Sequence, residues 1–414
     1  MRVCAAFSRL LRLDGVWVRS VSFAPDRVLV RVALRRRRLV CAHCAFSTPG
    51  RESVQVHESV WRHLDLGVWR LEIRATLRRV RCPVHGAHVE GVPFARHGAR
   101  FTRDFEDLVA WLATKADRTA ICRLVRIDWQ TVGRIIQRVA GEQLDERRLN
   151  GLFDIGIDEI AWRGGHRYLT LVTDHHAAKI VWGAEGRSAK VADLFYDELG
   201  EQRAKQLRAV SLDMGAGYAK STREHAPQAT ICIDPFHVVQ LATRALDEVR
   251  RDYWNALRTA GDHDAARRFK GARWVLLKNP ADHTDEQARM LRRLRNAGGH
   301  VWRALTLKEA VRAIFAPDLD LDDVGALIDR FVSRASRSRL KPFIRLAKTI
   351  RKHRDQILAA IRLKINNARV EALNNKARLI TRRAYGFHSA RAALALIHLS
   401  CGPITLTLPH HKTA

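Results

Sequence analysis

The 414-residue sequence has no apolar run long enough to span a bilayer, because basic residues interrupt every candidate segment. Its N-terminus is charged too early for a signal peptide, so we expect a cytoplasmic protein without membrane contact. The seven cysteines are odd in number and unevenly spaced, which argues against a disulfide framework and for a reducing compartment. The sequence also has neither a Gly-x-Ser-x-Gly nucleophile elbow nor a P-loop lysine motif.

Acidic residues are scarce as well, with 43 Asp and Glu against 73 Lys and Arg, so the formal net charge is +30. The basic residues are spread along most of the chain. Such a surface attracts polyanions and releases their counterions, so we expect salt-dependent binding of nucleic acid. A merely solvated basic surface is the alternative, but 47% hydrophobic residues in a chain of this length provide for two to four folded domains.

Three carboxylates stand out in this basic chain. Asp158 lies in the apolar stretch Gly156–Ile160, Asp213 follows another apolar stretch, and Glu371 lies far downstream in a basic helical segment. Burying an isolated carboxylate is costly unless it is paired or bound to a metal ion. We therefore predict that these three acids converge on divalent metal ions that act on a nucleic-acid backbone.

Two pairs of residues near the N-terminus have the spacing of metal ligands, and each follows a β-like stretch. The pairs are Cys41 with Cys44, and Cys82 with His85. Two such pairs closing one tetrahedral site form a zinc ribbon. Ordinary buried cysteines explain the spacing equally well, but the flanking arginines favour a zinc-stabilised module that contacts DNA. The histidines that compete as ligands are His43, His57, His63 and His88.

A helix-turn-helix is predicted within residues 93–150. Apolar residues recur at helical spacing from Phe105 to Leu112, and a later apolar stripe runs from Val132 to Val139, after Asp128 as N-cap. A plain helical hairpin is the alternative. The residues of the last helix that we expect to face DNA are Trp129, Gln130, Arg134 and Arg138.

From about Gly151 the pattern predicts three consecutive strands, then a helix, a strand, a helix and a strand, and a long helix beginning at Pro235. This is the order of a ribonuclease-H-like core with a mixed five-stranded sheet, in which Asp158 and Asp213 face one edge. The interval between Asp213 and Glu371 is too long for a loop and is helix-like, so we predict an all-helical insertion.

The predicted organisation is therefore multidomain α/β. Its parts are a β-rich region with the zinc ribbon (1–92), the helix-turn-helix domain (93–150), the first part of the catalytic core (151–253), the helical insertion (254–363), the C-terminal helix of the core with the third acid (364–405) and a tail (406–414).

Together these motifs resemble those of bacterial DDE transposases, specifically the insertion-sequence family named L-three. The matching stretches are Gly156–Ala161, Ser211–Met214, Asp234–Val238, Asn374–Lys376 and Ala384–Phe387. The zinc-ribbon and helix-turn-helix segments resemble that family's N-terminal layout, so the resemblance covers nearly the whole chain. One departure is Ala372, where family members often carry glycine.

The resemblance implies a transposase that binds the terminal inverted repeats of an insertion sequence, cleaves the DNA and joins the ends to target DNA. Asp158, Asp213 and Glu371 would hold two Mg²⁺ ions (Mn²⁺ could replace them), and Asp234 and His237 would support them. A homodimer or higher oligomer on double-stranded DNA is expected. Basic residues near Glu371 are interpreted as phosphate-binding, namely Lys376, Arg382 and Arg383.

Three other readings remain to be weighed. A zinc-containing DNA-binding regulator with an inactive core would not need the three acids. A structure-specific nuclease without a joining step would need them but not two DNA-binding modules. Tyr385 as a recombinase nucleophile would leave the acids unexplained. For His237, a capped core histidine at a helix start is an equally good interpretation.

Overall fold

The computed structural model describes residues 2–49, 57–214, 216–278, 282–316, 319–365, 368–384 and 386–411. The chain divides into two compact units, one of Met1–Asp145 with Ile380–Ala414 and one of Glu146–Leu379. In the described ranges, no helix is both long and apolar enough to cross a membrane. Tyr385, considered above as a nucleophile, lies outside the described residues.

The first unit contains a helix and a mixed four-stranded sheet. The elements are α1 (Val3–Leu11), β1 (Val16–Phe23), β2 (Arg27–Leu34), β5 (His57–Leu66) and β6 (Trp69–Leu77). The strand order is β1-β2-β6-β5, with β2 and β6 parallel and the other neighbours antiparallel. Val28, Val30 and Val32 alternate along β2 and are buried, as the two-residue period of a strand requires.

Two short hairpins and four helices belong to the same unit. They are β3 (Leu39–Val40) with β4 (Ser47–Thr48), β7 (Arg79–Cys82) with β8 (Gly86–Val89), α2 (Arg103–Lys115), α3 (Arg118–Val125), α4 (Trp129–Gln143) and α17 (Ala390–Cys401). Asp128 caps α4 by accepting a hydrogen bond from the amide of Thr131. The apolar stripe of α4 is buried, as predicted, and α17 packs against α2 and α4.

The second unit is built on a mixed five-stranded sheet. Its strands are β9 (Asp154–Arg163), β10 (Arg167–Asp174), β11 (Lys179–Glu185), β12 (Ala209–Leu212) and β13 (Thr230–Ile233). The order is β11-β10-β9-β12-β13. The first three strands are antiparallel neighbours, whereas β12 runs parallel to both β9 and β13. The helices α5 (Ala189–Leu199), α6 (Glu201–Ala204) and α7 (Ala216–His225) lie in the connections around β12.

The remainder of the second unit is helical. It comprises α8 (Pro235–Thr259), α9 (His263–Lys270), α10 (Ala272–Leu277), α11 (Asp285–Ala297), α12 (Gly299–Ala313), α13 (Leu321–Ser336), α14 (Lys341–Lys352), α15 (Arg354–Arg362) and α16 (Ala368–Arg383). A continuous apolar core joins α8 to α12, α13 and α14 through residues such as Leu246, Val311 and Phe331. Helices with one apolar stripe must bury it against one another, which explains this bundle.

These elements confirm the predicted mixed α/β organisation, the order of the five strands and the two helices around Asp128. The domain boundaries stay predictions. The segment 364–405, assigned above to the catalytic core, does not follow the division of the chain, because residues from Ile380 onward group with the first unit. The physical reason is that α17 is apolar over most of its surface and buries that surface against α2 and α4.

Candidate active site

Two of the predicted catalytic acids lie on neighbouring parallel strands of the second unit. Ser211 on β12 is paired with Gly156 on β9. Asp213 follows Ser211 by two residues and lies just beyond the end of β12. Asp158 follows Gly156 by two residues and lies in the middle of β9. Because side chains two residues apart share a face of a strand, this register predicts that both carboxylates face one region.

A cavity of about 420 Å³ in the second unit brings the predicted residues together. Glu371 reaches it from the first turn of α16, and Asp234 and His237 reach it from the start of α8. All five of the predicted catalytic and supporting residues therefore line one cavity. The other polar or charged residues in its wall are Glu159, Ser211, Gln240, Arg244, Asn374, Asn375 and Arg378.

The carboxylate of Asp158 is held by two hydrogen bonds. The amide of Glu159 donates to Oδ1 at 2.7 Å, and the side-chain amide of Asn374 donates to Oδ2 at 2.5 Å. Burial raises the pKa of Asp158, and the nearby charge of Asp213 acts in the same direction, whereas His237 lowers it. Burial and the charge of Asp213 both destabilise the ionised form of Asp158. A cation in the cavity would offset both effects.

The three acids line the same cavity, but their carboxylate oxygens are not all close together. Among the described residues, the one group of at least three His, Cys, Asp or Glu side chains with all ligand atoms within 4.8 Å is the Cys/His cluster of the first unit. At least one pair among Asp158, Asp213 and Glu371 is therefore further apart than this.

Asp234 has a clear local function at the start of α8. Its Oδ1 accepts a hydrogen bond from the amide of Phe236 at 2.9 Å, which caps the helix, and the side chain is almost fully buried. Its Oδ2 lies 3.7 Å from Nε2 of His237. The pair is thus positioned by the helix start, in agreement with the interpretation of His237 as a residue at a capped helix end, while both side chains still face the cavity.

Sequence reasoning missed the residues that support these acids. Nε2 of His175 is hydrogen-bonded to Oγ of Ser211 at 2.8 Å, and burial lowers the pKa of this histidine. A Cβ atom at Gly156 would lie 3.0 Å from that hydroxyl oxygen and 3.2 Å from the imidazole nitrogen. The signal for Asn374 is its place three residues after Glu371, which puts both side chains on one helix face.

In the first unit, the turns of the two short hairpins bring Cys41, Cys44, Cys82 and His85 together, with all ligand atoms within 4.8 Å. Sγ of Cys44 lies 3.7 Å from Sγ of Cys82, and Nδ1 of His85 lies 3.5 and 3.7 Å from the sulfurs of Cys82 and Cys41. Burial raises the pKa of Cys82, but hydrogen bonds from the backbone and side chain of His85 outweigh it and lower the pKa to about 6. The predicted quartet is thus assembled.

Two of the four competing histidines, His88 and His43, lie beside the quartet, and the other two lie elsewhere. Nε2 of His88 lies 3.2 Å from Sγ of Cys41, and the ring of His43 stacks on His85 with centroids 5.1 Å apart. His63 is buried, and its Nδ1 is hydrogen-bonded to Oγ1 of Thr102 at 2.7 Å, away from the quartet. His57 lines a separate cavity beside the four-stranded sheet.

The predicted DNA-contacting residues of α4 have different environments. Gln130 and Arg134 are exposed and joined by a hydrogen bond of 3.1 Å. Trp129 is half-buried beneath the guanidinium of Arg118, 4.3 Å from the ring centroid. Arg138 instead pairs with the fully buried Glu106 of α2.

The cations of α16 differ in the same way. Lys376 and Arg382 are exposed. Arg383 donates hydrogen bonds of 3.1 Å to the backbone oxygens of Ala113 and Lys115, at the C-terminal end of α2. A guanidinium there satisfies carbonyl groups that the helix leaves open and suits the negative end of its dipole.

Comparisons with known proteins agree on one family. A family model described as a transposase matches residues 155–397, and a model described as the helix-turn-helix domain of transposase family ISL3 matches residues 90–140. The transposase for insertion sequence element IS1557 of two Mycobacterium tuberculosis strains is 38% identical, over 99% of this chain and 98% of the relative. The transposase for insertion sequence element IS1001 of Bordetella parapertussis is 28% identical, over 84% of this chain and 85% of the relative.

Proposed function

The chain belongs to the ISL3 family of transposases, and we propose that it binds the terminal inverted repeats of an insertion sequence and catalyses Mg²⁺-dependent DNA strand cleavage and strand transfer. The observation that carries the proposal is the convergence of Asp158, Asp213 and Glu371 on one cavity of a basic protein. The family gives the reaction class, and the cavity supports assigning that reaction to these three acids.

The architecture of the second unit supports a ribonuclease-H-like catalytic core. Its sheet has three antiparallel strands followed by two parallel ones, in the order β11-β10-β9-β12-β13. Asp158 lies on the central strand and Asp213 lies just after its parallel neighbour. A helix from much later in the chain adds Glu371 to the same cavity.

The donor set fits hard divalent cations. Carboxylate and amide oxygens are the ligands that Mg²⁺ prefers, and the cavity supplies three predicted carboxylates and the amide of Asn374. Oδ1 of Asn374 is buried and has no hydrogen-bond partner among the described residues. An orphaned carbonyl of this kind costs roughly 1–3 kcal/mol in a dry site, and a cation or its water would remove that cost.

When bound, two Mg²⁺ ions would activate a water or a DNA 3′-hydroxyl and stabilise the leaving oxygen of an in-line displacement. Asp158, Asp213 and Glu371 would hold them. His237, Arg244 and Arg378 line the same cavity, so they can face the negative charge of a DNA phosphate there. Asp234 fixes the start of α8 and with it the position of His237.

The first unit would supply the DNA recognition. Gln130 and Arg134 on α4 are exposed, as base or phosphate contacts must be, and the family model of the helix-turn-helix covers this helix. Two exposed cations of α16 are also suited to phosphate binding, Lys376 in the second unit and Arg382 in the first. Because transposition joins two DNA ends, we propose that a homodimer or higher oligomer assembles on them.

We further propose that one structural Zn²⁺ occupies the Cys/His cluster. Zinc bond lengths of about 2.3 Å to sulfur and about 2.0–2.1 Å to nitrogen give tetrahedral edges of about 3.8 Å between sulfurs and about 3.6 Å between sulfur and nitrogen. The measured separations of 3.7 Å (Cys44 to Cys82) and of 3.5 and 3.7 Å (His85 to Cys82 and to Cys41) match these edges.

The test is cleavage and joining of duplexes that carry the inverted repeats flanking the gene, with and without Mg²⁺. Wild-type protein is compared with Asp158→Ala, Asp213→Ala and Glu371→Ala, each checked for retained DNA binding. Metal-dependent cleavage and joining in the wild type, lost in all three variants, is the expected result. DNA binding without cleavage in the wild type would favour a regulator with an inactive core, and cleavage without joining would favour a nuclease.

A further inference from the structure

Asn374 connects the strand of the first acid to the helix of the third through a side-chain hydrogen bond. Its Nδ2 lies 2.5 Å from Oδ2 of Asp158, and the residue is only 1% exposed. It follows Glu371 by three residues on α16, so both lie on the same helix face, and both line the cavity. Movement of α16 away from β9 would break this hydrogen bond.

The chemistry of the contact fixes the orientation of the amide. An ionised carboxylate can only accept hydrogen bonds, so the group of Asn374 that faces Asp158 must be its NH₂ group. The amide oxygen then points away from Asp158. This oxygen is buried and has no hydrogen-bond partner among the described residues. Since native proteins satisfy most buried polar atoms, an unsatisfied oxygen on a residue that lines the cavity indicates a missing partner.

We propose that Asn374 is a further residue of the divalent-cation site, whose amide nitrogen orients Asp158 and whose amide oxygen faces the cation as a neutral oxygen ligand. The inference rests on the proposed function, because it assumes a cation in this cavity. A neutral oxygen adds affinity without adding a further negative charge beside Asp158 and Asp213, which already repel each other.

The experiment measures Mn²⁺ binding to the full-length, zinc-loaded protein without DNA, by calorimetry and by the electron paramagnetic resonance of free Mn²⁺. The variants are Asn374→Ala and the similarly sized Asn374→Leu. Partners that orient metal ligands are worth roughly 10–100-fold in metal affinity, and we expect a weakening of that order in both variants. Leu379→Ala, an exposed position on the same helix outside the cavity wall, should bind Mn²⁺ like the wild type.

A merely structural role for Asn374 would give a different result. The melting temperature of the variants without Mn²⁺ would then change. The half-saturating Mn²⁺ concentration, measured well below the melting temperature, would stay at the wild-type value, and that outcome overturns the inference. Asp158→Ala separates this from a failure of the proposed function. Should the wild type bind Mn²⁺ no better than Asp158→Ala, the metal site itself is wrong. If Asp158→Ala loses Mn²⁺ binding and both Asn374 variants bind Mn²⁺ like the wild type, the cation site stands and only the proposed part of Asn374 in it is wrong.

Discussion

Arg138 and Arg134 lie one helical turn apart on α4. The structure predicts that replacing Arg138 affects stability and that replacing Arg134 affects DNA binding. Arg138 pairs with Glu106, whose side chain is completely buried, and Arg96 is the second cation on that carboxylate, at 3.3 Å. Arg134 is exposed and bonds to Gln130 on its own helix. We expect Arg138→Ala to destabilise the protein and Arg134→Ala to weaken DNA binding.

The size of the first effect follows from these contacts. Removing both partners of a buried carboxylate costs about 3–5 kcal/mol, but Arg138→Ala leaves Arg96 in place. The loss is then that of one hydrogen bond to a charged group, about 1.5–3 kcal/mol. For a unit as large as Met1–Asp145 with Ile380–Ala414, this lowers the melting temperature by roughly 3–12 °C. Arg134→Ala should stay within about 0.5 kcal/mol of the wild type.

The pH dependence gives this prediction a second check. Burial raises the pKa of Glu106, and Arg138 and Arg96 oppose that rise. Without Arg138 the folded-state pKa rises further. Stability then falls as pH rises through this pKa, because the folded protein must release a proton that the unfolded chain has already lost. The melting-temperature deficit of Arg138→Ala should therefore be largest at neutral and alkaline pH and smaller in mild acid.

Two assays on the two variants decide the matter. Calorimetry gives the melting temperature at several pH values, and fluorescence anisotropy with an inverted-repeat duplex gives affinity over a range of salt concentrations. If Arg134 contacts a phosphate, Arg134→Ala should reduce the slope of log affinity against log salt by about 1. A wild-type melting temperature in Arg138→Ala, combined with a loss of DNA affinity, would refute the conclusion that Arg138 stabilises the protein by pairing with buried Glu106.

Three further predictions follow from the metal sites and the strand packing. Metal analysis should find one Zn²⁺ per chain, lost in Cys82→Ser together with protease resistance of the two hairpins; retention of zinc would contradict the proposed ligand set. Gly156→Ala forces the hydrogen-bonded Ser211 and His175 apart, so we expect a loss of about 1–3 kcal/mol, whereas Gly164→Ala, with no atoms nearby, should not change the melting temperature. Because burial raises the pKa of Asp158, Asp158→Asn, with the Asn374 amide turned so that its oxygen accepts from the new NH₂ group, should raise the melting temperature at neutral pH without Mg²⁺ and abolish further stabilisation by Mg²⁺; a lowered melting temperature without Mg²⁺ would count against the destabilised carboxylate.

The elements around the candidate site could be predicted because local rules determine them. Alternating apolar residues mark much of β9, a short buried run marks β12, and the side-chain hydrogen bonds of Asp128 and Asp234 mark the starts of α4 and α8. The same rules explain why Asp158 and Asp213 could be predicted to line one cavity. Burying a carboxylate within or at the end of an apolar strand is energetically costly, so its presence indicates a partner.

Contacts between distant segments could not be predicted in this way. The outward face of α4 looks uniformly polar in sequence, and only the packing of α2 shows that Arg138 is paired with Glu106. His175 and Ser211 are 36 residues apart and carry no shared motif, yet they form one hydrogen bond beside Gly156. Such pairs depend on strand order and helix packing, which local periodicity does not specify.

The number of metal ions that the three acids could share depends on distances rather than on residue types. Ligands of a single Mg²⁺ bound at about 2.0–2.1 Å lie at most about 4.2 Å apart, on opposite sides of the ion. Among the described residues, the three acids do not form a group with all ligand atoms within 4.8 Å of one another, so in this geometry they would not all bind one ion directly. The proposed use of two ions agrees with this spacing. Asp158 lies on the strand beside Asp213 and is hydrogen-bonded to Asn374 on the helix of Glu371, so its orientation would link the three acids in the proposed site.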